Sequence, residues 1–153
     1  MSDLVFRDAT RADLPAIIEM LADDFLGQQR AEIYAEPLPQ SYVTSFEAIR
    51  ADPRGRLIVA EQNGAVIGCY QLTIIPGLSY HGAWKAIIEG VRVASALRST
   101  GVGAKMLDHA ARLSREAGAR TLELTTNKAR TDAQRFYAKL GFKNSHEGYK
   151  LEL

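Results

Sequence analysis

Asn63-Gly64 stands between two apolar, β-branched runs, Leu57–Ala60 and Ala65–Ile75, and this arrangement narrows the fold more than any other feature. Both central residues of a tight hairpin turn need positive φ, which Asn and Gly tolerate, so the pair predicts two antiparallel neighbouring strands. Pro76-Gly77 closes the second of them. After the polar tip Ser79-Tyr80-His81-Gly82, the Ile- and Val-rich run Trp84–Val93 predicts strand four. Upstream, Leu4–Arg7 alternates as a first strand, and Thr10 with Asp13 reads as a capping box. It opens a helical run with Leu14, Ile17, Ile18, Leu21 and Phe25 at three-to-four spacing, and Gly27 is its expected stop. From Gln28 to Gln40 no period is legible, after which Tyr42, Phe46 and Ile49 predict a second helix ending near Pro53.

Downstream, a helix from about Gly101 to Ala117 gathers Val102, Met106, Leu107, Ala110 and Leu113 on one face. Thr121–Thr126 alternates as a fifth strand, Asp132–Leu140 reads as a helix ended by Gly141, and Lys150–Leu153 is a candidate last strand. This order predicts an α+β or α/β fold with a mixed sheet, mostly antiparallel at its start, and a strand-helix-strand crossover near the end.

The 153 residues suit one domain spanning 1–153. Hydrophobic residues at 46% and charged residues at 24% exclude a disordered or low-complexity chain. Nineteen Lys and Arg against 18 Asp and Glu leave a net charge of +1, far from the basic excess a nucleic-acid backbone calls for. No apolar stretch is long enough to span a bilayer, so neither nucleic acid nor membrane is expected as a partner. A single cysteine, Cys69, and the lack of a basic leader with an apolar run point to a cytoplasmic protein.

The stretch Val91 to Gly103 runs from a strand into a helix through a turn with two glycines and little bulk. Amides at a helix start lack internal partners and lie at the positive end of the helix dipole, so such an end receives anions. Ser99 or Thr100 capping the helix, with Gly101 and Gly103 allowing close packing, is an equally open reading of these residues alone. Two nucleotide motifs drop out. A P-loop needs Ser or Thr after its lysine, whereas Met106 follows Lys105, and a dinucleotide fingerprint needs a third small residue where Met106 stands.

Arg98-x-x-Gly101-x-Gly103, preceded by Glu89-Gly90-Val91-Arg92-Val93, resembles motif A of the GNAT N-acetyltransferase family. Asn127, Ala133, Phe136-Tyr137 and Leu140-Gly141-Phe142 are similar to the same family's motif B, in the right order. The resemblance covers roughly Trp84 to Phe142. It implies a central, mostly antiparallel, twisted sheet of six to seven strands flanked by about four helices, with strands 4 and 5 splayed apart. It also implies acetyl-CoA as co-substrate and a small-molecule or peptide amine as acceptor. A homodimer is an assembly the resemblance allows.

Carried over position by position, the main-chain amides of Arg98, Ser99, Thr100, Gly101, Val102 and Gly103 are expected to hold the donor's pyrophosphate. The Arg98 side chain would add a charge at the rim. Val91, Arg92 and Val93 form the donor-facing strand, whose main chain would pair with pantetheine, and a bulge at Gly90 would help it separate from strand 5. Asn127 and Ala133 join the donor-binding set. Asn127 is open to a plain turn-forming role as well.

The resemblance gives Glu89 the part of base for the amine and Tyr137 the part of acid for the departing thiolate. Against these stand a solvent-facing strand carboxylate and a core tyrosine with its hydroxyl tied off. The rival readings of the whole are a catalytically weak CoA-binding sensor or interaction domain, and an acyltransferase using a larger acyl group.

The remaining eye-catching residues have bland readings. Cys69 is expected as a small buried apolar residue. His109 and His146 show no metal-ligand spacing with it, and no metal is assigned. Tyr80 and His81 read as acceptor-lining or as an exposed loop tip. Asp23, Asp24, Glu32 and Glu36 read as a solvated face or, less readily, as an attractor of a cationic amine, and Trp84 as a strand anchor or subunit contact.

Overall fold

The computed structural model describes residues 3–23 and 34–153. The chain divides into two compact units, Met1–Glu123 and Leu124–Leu153. The expected continuation of the first helix through Phe25 to a stop at Gly27, and the acids Asp24 and Glu32, lie outside the described residues.

In the first unit, β1 (Val5–Asp8), α1 (Leu14–Ala22), α2 (Gln40–Ala51), β2 (Gly55–Gln62), β3 (Ala65–Ile75), β4 (Trp84–Val93), α3 (Val102–Glu116) and β5 (Ala119–Glu123) follow in chain order. The sheet keeps that order, β1-β2-β3-β4-β5. Its first three pairings are antiparallel, and β4 with β5 is parallel across the α3 crossover. The β2–β3 turn is the expected one, with Asn63 at φ 54° and Gly64 at φ 75°. Between β3 and β4 the chain makes one helical turn, Ser79–Gly82, with Tyr80, His81 and Gly82 in the left-handed region.

Ile58, Val59 and Ala60 are all buried, because β2 is covered on both faces and so reads as a continuous apolar run rather than an alternation. On one face, Ile17 and Met20 of α1 pack with Val59 and Cys69. On the other, α3 comes so close to β3 that a Cβ built on Gly68 would lie 2.8 Å from Met106 Sδ. Strand pairing fixes the remaining assignments, since paired residues share a face: Phe6, Asp8, Arg56, Ile58, Tyr70 and Leu72 belong to the α3 side. The capping-box acid Asp13 does more than cap. It accepts from Thr10 N at 2.7 Å and pairs with Arg7 through two contacts of 2.7 and 3.0 Å, and the Arg7 guanidinium holds its carboxyl down at about 2.

The second unit contains α4 (Thr131–Lys139), ended by Gly141 at φ 92° as the sequence predicts. Three expectations need correction. The sheet has five strands among the described residues, not six to seven, and Lys150–Leu153 forms no strand. Its alternation is real, yet Tyr149, Leu151 and Leu153 stand exposed, and a strand exists only where a ladder partner receives it. The fifth strand is also displaced, running Ala119–Glu123 rather than Thr121–Thr126. Four helices, α1 to α4, are present among the described residues, as many as expected.

Candidate functional site

In the first unit, Glu89, Val91, Arg92, Val93 and the turn Arg98–Gly103 form one continuous stretch at the end of β4 and the start of α3. Cys69 pairs with Arg92 and Gln71 with Glu89, so Gly90 and Val91 together oppose the single residue Tyr70. This is a β-bulge, and Gly90 supports it with φ at 61°. The bulge therefore falls where the sequence predicts it. Pairing between β4 and β5 ends at Ile87–Glu123, while β4 continues for six more residues to Val93. Beyond that point the two strands share no ladder, so β4 runs on without β5 as its neighbour.

Glu89 is exposed and, through its pairing with Gln71, lies on the same face as Cys69 and Arg92, the face packed by α1. Arg92 is half-buried and donates to Val91 O at 2.8 Å. Cys69 is buried beneath the bulge and directs its thiol to Gly90 O at 3.8 Å; burial pushes that thiol up to about 12, so it is an inert packing residue.

A tight turn, Ser95–Leu97, links β4 to α3. Ser99 and Gly101 then adopt positive φ, 64° and 92°. The helix start carries no side-chain cap, and Lys105 N is bonded to Gly101 O at 3.2 Å. Thr100 does not cap: its hydroxyl turns back to Leu97 O at 2.5 Å. The amides at the start of α3 are thus left to a ligand or to water. Arg98 is exposed but engaged, donating to Val93 O at 3.3 Å and Asp23 O at 3.0 Å, with the Asp23 carboxylate 3.7 Å away.

The second unit holds the other predicted residues. Asn127 Oδ1 accepts from Ala129 N at 2.9 Å, and its carbonyl accepts from Arg130 N at 2.9 Å, so Asn127 shapes the turn leading into α4. Ala133 and Tyr137 are half-buried on α4, and the Tyr137 ring lies 5.2 Å from Phe136 and 5.8 Å edge-on from Phe142.

Sequence reading missed one polar pair. Tyr70, 1% exposed, is 2.6 Å through its hydroxyl from Nδ1 of His109 on α3, and Phe6 stacks on that imidazole at 4.4 Å. The available signal was a tyrosine inside a strand apolar on both faces, whose hydroxyl must find a partner. Among the described residues no group of three or more His, Cys, Asp or Glu is arranged to hold a metal. None of their helices is long and apolar enough to cross a membrane.

A model of the acetyltransferase (GNAT) family matches residues 14–142. An aminoalkylphosphonate N-acetyltransferase of Salmonella typhimurium is 36% identical over 107 residues, 70% of this chain and 69% of that protein. Among solved structures, a protein described as a transcriptional regulator from Bacillus halodurans is 46% identical, with a TM-score of 0.95 over 99% of this chain and all of that one. An aminoglycoside N-acetyltransferase in complex with CoA has the same fold at 17% identity, with a TM-score of 0.80 over all of this chain and 96% of that one.

Proposed function

The chain belongs to the acetyltransferase (GNAT) family, and on that premise we propose that it moves the acetyl group of acetyl-CoA onto a primary amine by direct attack within one ternary complex. The observation that carries this reading is the uncapped, glycine-bearing start of α3 following a bulged strand whose ladder with β5 stops at Ile87. An anion is the natural partner of the first feature and an extended amide-bearing chain of the second. A pyrophosphate followed by pantetheine is both.

The amides of Arg98 to Gly103 hold the pyrophosphate in this account, and the main chain of Val91, Arg92 and Val93 pairs with the pantetheine arm. Asn127 and Ala133 complete the donor-binding set. An alkylamine with a pKa near ~10.4 spends roughly 4–5 kcal/mol to be neutral at pH 7. Glu89 takes that proton, directly or through water, a contribution typically worth about 10²–10⁴ in rate. The amine nitrogen bonds to the thioester carbon and sheds its second surplus proton to solvent, the carbon–sulfur bond breaks, and the leaving thiolate takes a proton from the Tyr137 phenol, which solvent then restores. No covalent enzyme intermediate is needed.

The Salmonella relative makes aminoalkylphosphonates the first acceptors to try, ahead of other small amines and peptide amines. A second reading, a CoA-binding sensor or interaction domain with weak turnover, is favoured by the description of the Bacillus halodurans relative as a transcriptional regulator. Following free thiol during incubation with acetyl-CoA and an amine panel separates the two. Amine-dependent thiol release supports the enzyme, and donor binding without release above background supports the sensor. Competition between acetyl-CoA and longer acyl-CoA esters tests the acyl preference.

A further inference from the structure

His109 lies on α3, three residues after Met106, and these two side chains meet β3 at neighbouring positions of one face. Met106 fills the space left by Gly68, and His109 Nδ1 meets the Tyr70 hydroxyl at 2.6 Å. Tyr70 is the β3 residue opposite the Gly90–Val91 bulge. The helix that offers its amides to the donor is therefore pinned to the strand that faces the bulge, at a point where the sheet ladder is interrupted.

The surroundings of His109 decide which protonation state the pin tolerates. Phe6 of β1 stacks on the ring, and the charged groups facing it are Asp8 of β1, Arg56 of β2, and Arg112 and Glu116 of α3 itself. Both acids are already committed. Asp8 takes two hydrogen bonds of 2.9 Å from Arg56, and Glu116 takes one of 2.6 Å from Arg112. A neutral imidazole accepts the phenol proton at Nδ1 and fits this setting. An imidazolium would have to reverse that bond and place a third cation among two closed ion pairs.

We propose that the Tyr70–His109 hydrogen bond is a positioning contact of the donor site, holding α3 and its N-terminal amides against the β4 bulge while His109 is neutral and loosening them when it is protonated. The proposal rests on the preceding reading of α3 as the donor's binding element. Burial, with Arg112 and Arg56 adding to it, pushes His109 below its ordinary value of 6.5. Because the folded value is the lower one, His109 stays neutral and the contact holds down to 6.5, and stability is lost as pH falls below it.

Two readouts on the full chain test this between pH 7.5 and 5.5. Hydrogen exchange without ligand, corrected for intrinsic rates, reads the contact itself, and calorimetric titration with coenzyme A reads its consequence. In the wild type, protection at residues 89–93 and 101–106 is expected to fall with pH. Coenzyme A binding is expected to weaken about three- to tenfold beyond the change seen in His109→Gln, which offers Tyr70 a polar partner that does not titrate. The phosphates of the ligand titrate equally in both comparisons. Should His109→Gln not fold, Tyr70→Phe, which removes one oxygen, is expected to bind coenzyme A about three- to tenfold more weakly than the wild type at the same pH of 7.5. Equal pH responses in wild type and His109→Gln, or wild-type affinity in Tyr70→Phe at pH 7.5, would overturn the proposal. A wild type that binds no coenzyme A at pH 7.5 counts against the donor reading instead. The contact is then judged by exchange alone, where unchanged local protection between the two pH values refutes it.

Discussion

Asp13 shows what a single residue contributes when its partners are built in. Its carboxylate is buried, bonded to Thr10 and paired with Arg7, and its value near 2 against 3.8 corresponds to about 2 kcal/mol of stability. Because the folded value is the lower one, this stability is present above pH 3.8 and lost as pH falls through about 2. Asp13→Asn should therefore lower unfolding free energy in urea by about that amount at pH 7, with the gap to wild type closing on acidification. Glu89 and Tyr137 are tested by rate instead. Glu89→Gln should move activity toward alkaline pH, where more of the amine is already neutral. Tyr137→Phe should lower kcat far more than donor affinity, and steady-state kinetics beside coenzyme A titration reads the difference.

At the scale of the element, the strands with strong local chemistry were legible and those defined by pairing were not. Asn63-Gly64 and the β-branched runs fix β2, β3 and β4, because turn geometry and side-chain shape act within a few residues. The alternation at Lys150–Leu153 has the same period but no ladder, and periodicity carries no information about a partner. The turn into α3 was legible as glycine chemistry, although the choice between capping and an open end was not. It depends on Thr100 turning its hydroxyl to Leu97, a matter of backbone path. Two substitutions probe α3. Gly68→Ala would bring a methyl within 2.8 Å of Met106 Sδ and 3.1 Å of Arg92 O, and overpacking there should cost about 1–3 kcal/mol in thermal unfolding. Gly103→Glu should abolish coenzyme A binding by calorimetry while circular dichroism remains that of the wild type, since it places charge and bulk where the phosphates are expected.

For the molecule as a whole, a net charge of +1 leaves recognition to local groups rather than to a general field, which suits a small anionic carrier better than a nucleic acid. The turn and the bulge proposed to receive the donor were legible because they are backbone chemistry written in glycines. The sequence did not carry the identity of the acceptor, nor the Tyr70–His109 pair, which joins residues 39 apart. The most direct test of the account is a crystal structure of the full chain grown with coenzyme A. The account predicts diphosphate oxygens about 3 Å from the amides at the start of α3, with the pantetheine arm along β4 beyond Ile87. A carrier bound elsewhere, with that helix start closed by its own side chains, would contradict it.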